Sequence, residues 1–439
     1  MWTRANEIRA GFATLLVAVS AAAKPEIIIT PDKPVILGED VAVRVTGLEP
    51  GASVTLVADS AGPTGKVIRA AVEFAADPNG KIDLSRNAPV SGTYRGIDPL
   101  GIFWSRNNTA DPVPDDLTAK PGQSKIIFRV MQGDRELARK EHIRYLVAPG
   151  VKSSEIKHGK LKGKLFVPAG EGPFPGVVCI GSVMGGKAWA EQTAGLLASH
   201  GMVAAAITYY GAPGLPERLE EVPLEYFTDA ISYVRDRSDV HDERVGLVGH
   251  GKGAEVSLLL GSRVRELRAV VAFAPSSVIW QSPAEGFPSA SSWSYQGEGL
   301  PFLPFRPDER FSRTNRMADL HKASLDYFLE HDRASINRAA MIVEQTEGPV
   351  LMYSGDQDAY WPADVMGHGS YLRLTATKHP YEDDHLIFEG AGHDIGVPGY
   401  TRTVNDPRMG GSRDANAEAR RTAWQAAVNG LKKAFDLDS

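Results

Sequence analysis

The chain has 439 residues, and its 48 Lys and Arg against 54 Asp and Glu give a formal net charge of −6. At roughly 150 residues per domain, this length suggests two or three domains, and a hydrophobic content of 43% excludes a disordered chain. The charge balance lacks the basic excess of nucleic-acid binders, and the single cysteine, Cys179, excludes an internal disulfide or a multi-cysteine metal site.

The first 23 residues have the pattern of an export signal. Arg4 and Arg9 precede an apolar stretch that ends in the small residues 20–23 and is too short to span a bilayer. We therefore predict a signal peptide over 1–23 and an exported protein, periplasmic or secreted. The alternative is a cytoplasmic protein with an N-terminal helix, because Glu7 dilutes the positive charge at the start. No later segment is apolar enough to predict a membrane span.

Residues 24–148 are predicted to form a β-sandwich. Short β-branched runs at 27–30, 41–45 and 54–57 alternate with turns rich in Gly and Pro. The pattern changes near 148–154, where we place the domain boundary.

Residues 149–439 alternate apolar runs, such as the predicted strand 245–248, with helical segments, such as the predicted helix 224–235. This alternation predicts a mainly parallel sheet covered by helices on both faces. Between about 276 and 344 this alternation gives way to aromatic, Pro and Gly-rich sequence. We interpret that excursion as a lid or substrate-binding segment, with a structureless surface insertion as the alternative. Its aromatic residues Trp293, Tyr295 and Phe302 are the candidate wall for an acyl chain. A helix over 415–435 is predicted to close the chain.

Residues 249–253, Gly-His-Gly-Lys-Gly, follow a predicted strand and open a predicted helix. This is the context of a nucleophile elbow, in which flanking glycines permit a strained turn and the middle residue carries the nucleophile. Here the middle residue is Gly251, which has no nucleophilic atom. An ordinary glycine-rich turn is the alternative.

An acid and a base follow in the chain order of an α/β-hydrolase. Asp358 lies in a loop after an apolar strand, and we favour it over Asp356 as the acid that orients the base. His393 ends a second glycine-built turn and is the candidate general base.

Backbone N–H groups near the elbow are the candidate oxyanion donors: that of Lys252 and those of the loop residues Val183, Met184 and Gly185. A phosphate-binding loop is the competing interpretation of this glycine-rich loop. The sequence lacks GxxxxGK[ST], GxGxxG and HExxH motifs, so we expect no nucleotide cofactor and no catalytic zinc.

Together these residues resemble the acyl-CoA thioesterases and bile acid-CoA:amino acid N-acyltransferases. Residues 91–105, SGTYRGIDPLGIFWS, are similar to a long stretch of that family's N-terminal domain, and 249–255, 358–361 and 390–393 resemble later landmarks in order. The resemblance implies an immunoglobulin-like sandwich followed by an α/β-hydrolase domain. It also implies attack on an acyl thioester, a covalent acyl-enzyme, and release of the acyl group to water or an amine.

The same resemblance places the family's Ser or Cys nucleophile at Gly251, its acid at Asp358 and its base at His393. Three accounts of the glycine are open: an engineered substitution in a working hydrolase, a natural pseudoenzyme, or replacement by another hydroxyl such as that of Ser182. Retention of the acid and base favours the first account, or a residual role in which the pair activates water. The third account is the weakest, because Ser182 is not on an elbow.

The expected ligand is a small acyl thioester or ester, and the expected activity is hydrolysis. Acyl-CoA is a cytosolic metabolite, whereas the N-terminus predicts export, so an exported ester or lactone is an alternative substrate. A non-catalytic acyl-binding protein of the cell envelope is the alternative function. The sequence makes no prediction of the oligomeric state.

Overall fold

The computed structural model describes residues 24–182 and 186–437. The predicted export signal, 1–23, and the predicted oxyanion residues Val183, Met184 and Gly185 lie outside the described residues. No helix within the described ranges is long and apolar enough to cross a membrane.

The first region is built from strands and one short helix. Its elements are β1 (Glu26–Thr30), β2 (Val35–Ile36), β3 (Ala42–Thr46), β4 (Ser53–Ala61), β5 (Lys66–Ala75), β6 (Ile82–Asp83), β7 (Ser91–Gly92), α1 (Gly101–Trp104), β8 (Asn107–Pro112), β9 (Gln123–Gln132) and β10 (Arg135–Tyr145). One sheet has the order β1-β3-β6, and the other has the order β2-β10-β9-β4-β5-β7 with β8 on β5.

These two sheets enclose a single apolar core. Strand β1 alternates exposed and buried residues, as a strand with one face toward a core must. Phe74 and Phe128 from the larger sheet meet Val45 from the smaller one and Phe103 from α1 in one buried cluster. The region is therefore a two-sheet β-structure, and its immunoglobulin-like topology stays a prediction.

The second region alternates strands and helices. Its elements are β11 (Lys152–Glu155), β12 (Lys162–Val167), β13 (Phe174–Ile180), α2 (Gly186–Ser199), β14 (Val203–Thr208), β15 (Val222–Pro223), α3 (Leu224–Arg235), β16 (Val240–His250), α4 (Lys252–Gly261), β17 (Leu267–Phe273), β18 (Trp293–Tyr295), β19 (Glu298–Gly299), α5 (Glu309–Thr314), α6 (Met317–His331), α7 (Arg333–Ala339), β20 (Val350–Gly355), α8 (Ala363–Thr377), β21 (Asp384–Phe388) and α9 (Arg413–Ala434).

Its main sheet has the order β11-β12-β14-β13-β16-β17-β20-β21. The strands from β14 to β21 are parallel, and β11 and β12 form an antiparallel edge. Side chains of β13 alternate between the two faces, so Val178 joins the core under α3 and α4, whereas Cys179 joins the core under α2 and α9. Cys179 is fully buried, and burial raises the pKa of its thiol.

The excursion predicted at about 276–344 is more regular than its composition indicates. It contains α5, α6 and α7, and β18 pairs with β15 and β19 in a small separate sheet. Helix α6 buries Ala318, His321 and Phe328 against the rest of the region. Helices α5 to α7 carry many charged residues, so their sequence lacks the apolar pattern that indicates a buried helix.

The two regions share a packed interface. Tyr400 and Ala417 of the second region belong to the buried core cluster of the first. The Tyr400 ring packs edge-on against Phe103 at 5.1 Å between centroids. The interface therefore reaches the segment that joins the predicted base, His393, to α9.

Candidate active site

Gly251 is the sharp turn between β16 and α4. Its backbone has φ 57° and ψ −117°, a conformation that L-residues rarely adopt. Its N–H donates a hydrogen bond to the Phe273 carbonyl oxygen at 2.9 Å. The strained turn of a nucleophile elbow is thus present without the side chain that such a turn normally carries.

The two flanking glycines are required by close backbone approach. A Cβ on Gly249 would lie 2.3 Å from the Gly253 carbonyl oxygen, and a Cβ on Gly253 would lie 2.0 Å from the Ile180 carbonyl oxygen. Both distances are far inside van der Waals contact. The Gly-x-Gly-x-Gly spacing is therefore a packing requirement where β16, α4 and the end of β13 meet.

His393 and Asp358 form a buried pair. The Nδ1–H of His393 donates to Oδ2 of Asp358 at 2.8 Å, and each residue is 3% exposed. Oδ1 of Asp358 accepts the backbone N–H groups of Tyr360 at 2.7 Å and Trp361 at 3.1 Å. The carboxylate is thus fixed on one side by the backbone and orients the imidazole with the other.

Asp356, the second candidate acid, lies elsewhere. Its Oδ1 accepts the Gly390 N–H at 2.7 Å, which ties the acid loop to the turn before His393. Its role in the structure is that of a loop clamp.

Gly251 and His393 face each other. A Cβ placed on Gly251 would lie 3.3 Å from Nε2 of His393. Because the Nδ1–H hydrogen bond to Asp358 occupies one side of the ring, the imidazole presents Nε2, the atom that a general base uses, toward position 251. The structure therefore brings together position 251, a base and its orienting acid.

Ser182 occupies the space in front of Gly251. Its Oγ lies 2.4 Å, and its Cβ 2.9 Å, from the point where a Gly251 Cβ would stand. The Lys252 N–H, a predicted oxyanion donor, points to this Oγ at 3.4 Å. Ser182 is not on the elbow, and no linear pattern in the sequence shows that the end of β13 lies against the start of α4.

The Lys252 side chain is buried behind the elbow. Its Nζ forms an ion pair with Oε1 of Glu255, which also accepts the Trp293 indole N–H at 2.8 Å. Burial lowers the pKa of Lys252 and raises that of Glu255, and the attraction between the two charges opposes both shifts. This pair anchors the first turn of α4 and so fixes the Lys252 N–H.

His250 is a neighbour that the sequence did not single out. Its Nε2–H donates to the His393 carbonyl oxygen at 3.1 Å, and the two rings are 4.9 Å apart between centroids. Burial, reinforced by His393, lowers the pKa of His250 to about 4. The His250 ring is therefore neutral near pH 7, and its hydrogen bond to the His393 backbone helps to position the base. The only sequence signal was its place inside the elbow motif.

A cavity of about 350 Å³ lies beside His393. Its lining consists of Ser182, His250, Tyr360, His393, Asp394, Asp406, Arg408 and Met409. The Met409 carbonyl oxygen accepts the N–H groups of His393 at 2.8 Å and Ala359 at 3.3 Å, which joins the base loop to the acid loop. The segment around Met409 carried no recognisable motif, and sequence reasoning missed it.

The three residues of the predicted acyl-chain wall are not among the described residues that line this cavity. Trp293 has no exposed surface and packs against Tyr209 and Phe227. Tyr295 is 41% exposed and lies under the guanidinium of Arg263. Phe302 is half-buried against the main core. Tyr360 does line the cavity, and its ring lies 4.9 Å from that of His393 between centroids. A larger cavity, of about 580 Å³, lies beside β20 and α9 and contains none of the predicted site residues.

Two family models match the chain. Residues 38–158 match the one described as the acyl-CoA thioester hydrolase/BAAT N-terminal region. Residues 222–436 match the one described as BAAT / acyl-CoA thioester hydrolase C terminal. The two matches fall on the β-rich first region and on the part of the second region that holds Gly251, Asp358 and His393.

Curated relatives align along most of their length. Acyl-coenzyme A thioesterase 5 of Mus musculus is 28% identical over 407 residues, which cover 88% of this chain and 91% of that protein. Acyl-coenzyme A amino acid N-acyltransferase 1 of Mus musculus is 26% identical over 441 residues, which cover 93% of this chain and 97% of that protein. Among solved structures, an esterase from Thermogutta terrifontis is 16% identical, covers 65% of this chain and 92% of its own, and has a TM-score of 0.40.

Proposed function

Because the chain belongs to the family of acyl-CoA thioester hydrolases and bile acid-CoA:amino acid N-acyltransferases, we propose that it is a hydrolase-type protein that binds an acyl thioester or ester in the cavity beside His393, with its nucleophile position occupied by Gly251. In this proposal His393 is the general base and Asp358 its orienting acid. The Lys252 N–H contributes to the oxyanion hole, together with the loop over 183–185. The family's named members include thioesterases, which are hydrolases.

One observation carries the proposal: the point where a Gly251 Cβ would stand lies 3.3 Å from Nε2 of His393. An acid, a base and an elbow backbone held in working order are the arrangement that hydrolysis through an acyl-enzyme needs. Position 251 lacks the hydroxyl or thiol that such a site carries.

The chemistry follows from this geometry. A hydroxyl near Nε2 gives its proton to His393 while its oxygen attacks the acyl carbon, and the negative charge collects on the carbonyl oxygen near the Lys252 N–H. The leaving thiol or alcohol takes the proton from His393, and water then repeats the sequence on the acyl-enzyme. Loss of the nucleophile from such a site costs about 10⁶-fold in turnover.

The test restores the hydroxyl at position 251. Because the Ser182 Oγ and Cβ lie 2.4 and 2.9 Å from the new Cβ, the useful variant is Ser182→Gly/Gly251→Ser, which removes both clashing atoms. The matched control is Ser182→Gly/Gly251→Ala, which has the same backbone strain and no hydroxyl. We expect the serine variant to hydrolyse p-nitrophenyl esters or acyl-CoAs at least about 10³-fold faster than the control. Equal rates would refute the proposal.

Gly251 itself favours a second candidate, a non-catalytic acyl-binding protein of the cell envelope. If this second candidate is correct, we expect saturable binding of an acyl-CoA thioether analogue. We then expect no turnover by the natural chain or by the restored variant. Export is part of the same proposal, and N-terminal sequencing of protein from fractionated cells tests it. A periplasmic or secreted protein that begins after residue 23 supports export, and a cytoplasmic protein that begins at Met1 contradicts it.

A further inference from the structure

We propose that Ser182 is the nucleophile of this chain and takes the place of the side chain missing at Gly251. The inference rests on the proposed function, since it uses the same cavity, base and acid. It differs in one respect, because it makes the natural chain an active enzyme.

The position of the Ser182 hydroxyl is the main evidence. Its Oγ lies 2.4 Å from the Cβ point of Gly251, and Nε2 of His393 lies 3.3 Å from the same point. The hydroxyl and the base therefore both lie close to the place where an elbow side chain normally projects. Ser182 reaches that place from the end of β13 rather than from the elbow.

The surroundings of Ser182 suit a reactive hydroxyl. The residue is 7% exposed and lines the cavity with His393 and Tyr360. Its Oγ accepts the Lys252 N–H at 3.4 Å, and no described residue accepts the hydroxyl hydrogen. No hydrogen bond to a described residue therefore has to break before that hydrogen moves to Nε2, and the Lys252 N–H already lies beside the oxygen that would attack.

Other hydroxyls near the site are used structurally. The Ser257 hydroxyl donates to the Gly253 carbonyl oxygen at 2.7 Å, and that of Ser354 donates to the Ala363 carbonyl oxygen at 3.1 Å. Tyr360 faces the cavity, but burial raises its pKa to about 12, and no base contacts its hydroxyl among the described residues. Ser182 is the candidate that these contacts leave.

The step balances without a further reactant. The Ser182 O–H bond breaks as its proton moves to Nε2, and Oγ forms a bond to the acyl carbon. The bond from that carbon to the sulfur or oxygen of the leaving group then breaks, and the leaving group takes the proton from Nε2. A water molecule next gives a proton to Nε2 and attacks the acyl-serine, and the Ser182 oxygen regains a proton as the carboxylic acid leaves.

The absence of a side chain at Gly251 is a condition for this arrangement. Any Cβ there would meet the Ser182 Oγ at 2.4 Å and push the hydroxyl from its place. Gly251→Ala should therefore abolish the activity, although it removes no functional group. A merely vestigial glycine at the elbow would predict no such loss.

An alkyl fluorophosphonate, which phosphonylates activated serines, tests the inference on the full natural chain, with intact-mass measurement and peptide mapping. We expect one adduct, on Ser182, with at least about 10²-fold slower labelling in Ser182→Ala, His393→Ala and Gly251→Ala. Ser262→Ala is the matched control and should label normally, because Ser262 has the same 7% exposure and donates to the Leu259 carbonyl oxygen.

The outcomes separate the two proposals. An adduct on Ser182 that requires His393 supports the inference, and the mapped site stands even if a variant folds poorly. No adduct on the natural chain, with labelling of Ser182→Gly/Gly251→Ser at position 251, overturns the role of Ser182 and leaves the proposed function intact. An adduct on Ser182 that persists in His393→Ala also overturns the inference. No adduct on either protein overturns both proposals.

Discussion

The Arg144 guanidinium donates a hydrogen bond to the Tyr400 carbonyl oxygen at 2.6 Å, and so joins β10 of the first region to the segment that follows His393. The Tyr400 hydroxyl adds a hydrogen bond to Asp40 at 2.8 Å and accepts the Val41 N–H at 3.1 Å. The β-rich region thus anchors the segment that follows His393. That segment continues through Met409, which lines the active-site cavity.

Replacing Arg144 by methionine should therefore destabilise the protein. Arg144 is 3% exposed, and the change leaves the Tyr400 carbonyl without this donor, at a cost of about 1–3 kcal/mol. Urea unfolding measures the difference. Arg139→Met is the matched control, because Arg139 lies on the same strand with a 44% exposed side chain. Equal loss in the two variants would contradict a specific role for the Arg144 contact.

Asp358 and Asp356 should differ sharply when each is changed to asparagine. Asp358→Asn removes the acceptor that orients His393, and in comparable triads this change costs about 10⁴-fold in turnover. Asp356→Asn keeps an oxygen for the Gly390 N–H and should change the rate only a few-fold. Steady-state hydrolysis by the natural chain and by Ser182→Gly/Gly251→Ser measures both. A larger effect from Asp356 would reverse the assignment of the acid.

Much of the second region could be predicted because its signals are local. The helix predicted over 224–235 agrees with α3, since an amphipathic run begins directly after Pro223. Buried strands could be recognised because a short apolar run between two helical segments is typical of a strand buried in a parallel sheet. Strand β16 is longer than the predicted 245–248, because its polar first half still pairs through Val240 with β13.

The active site could be predicted only in part. The order of Gly251, Asp358 and His393 follows from turn-forming glycines after apolar strands, which a sequence displays. The contact between Ser182 and Gly251 depends on β13 lying beside β16, and no local pattern encodes that neighbour relation. The cavity segment around Met409 is irregular, and its place is fixed by long-range contacts such as that of Tyr400.

The protein should lose stability as pH falls below about 6.5, the ordinary pKa of histidine in an unfolded chain. Burial lowers the pKa of His321 to about 3, because the ring lies among Trp280, Phe305 and Trp361. Below pH 6.5 His321 binds a proton in the unfolded chain but stays neutral in the folded protein. This residue therefore lowers the free energy of unfolding by at most about 1.4 kcal/mol for each pH unit.

His321→Phe should flatten that dependence between pH 6 and pH 4, whatever its effect on stability at pH 7. Urea unfolding at a series of pH values measures the slope. His331→Phe, on the same helix α6 with a 54% exposed side chain, is the matched control and should keep the natural slope. Unchanged slopes in both variants would show that His321 titrates normally in the folded protein.

Arg408 tests whether the ligand carries phosphate groups. Among the described residues lining the cavity it has the one permanent positive charge, and it pairs with Asp406 at 2.7 Å. If the ligand is an acyl-CoA, Arg408→Ala should weaken binding of a thioether analogue about threefold to tenfold and leave small esters unaffected. Calorimetry with both ligands measures this, and Arg313→Ala, on α5 away from the cavity lining, is the control. Unchanged affinity for the analogue would favour an uncharged ester.

The burial of Cys179 has a practical consequence. The chain has one cysteine, and it has no exposed surface, so a soluble thiol reagent finds little to react with in the folded protein. A cysteine introduced at an exposed position would therefore be the sole accessible thiol. A fluorophore or spin label could then be attached there in the otherwise natural protein, without a cysteine-free background having to be prepared first.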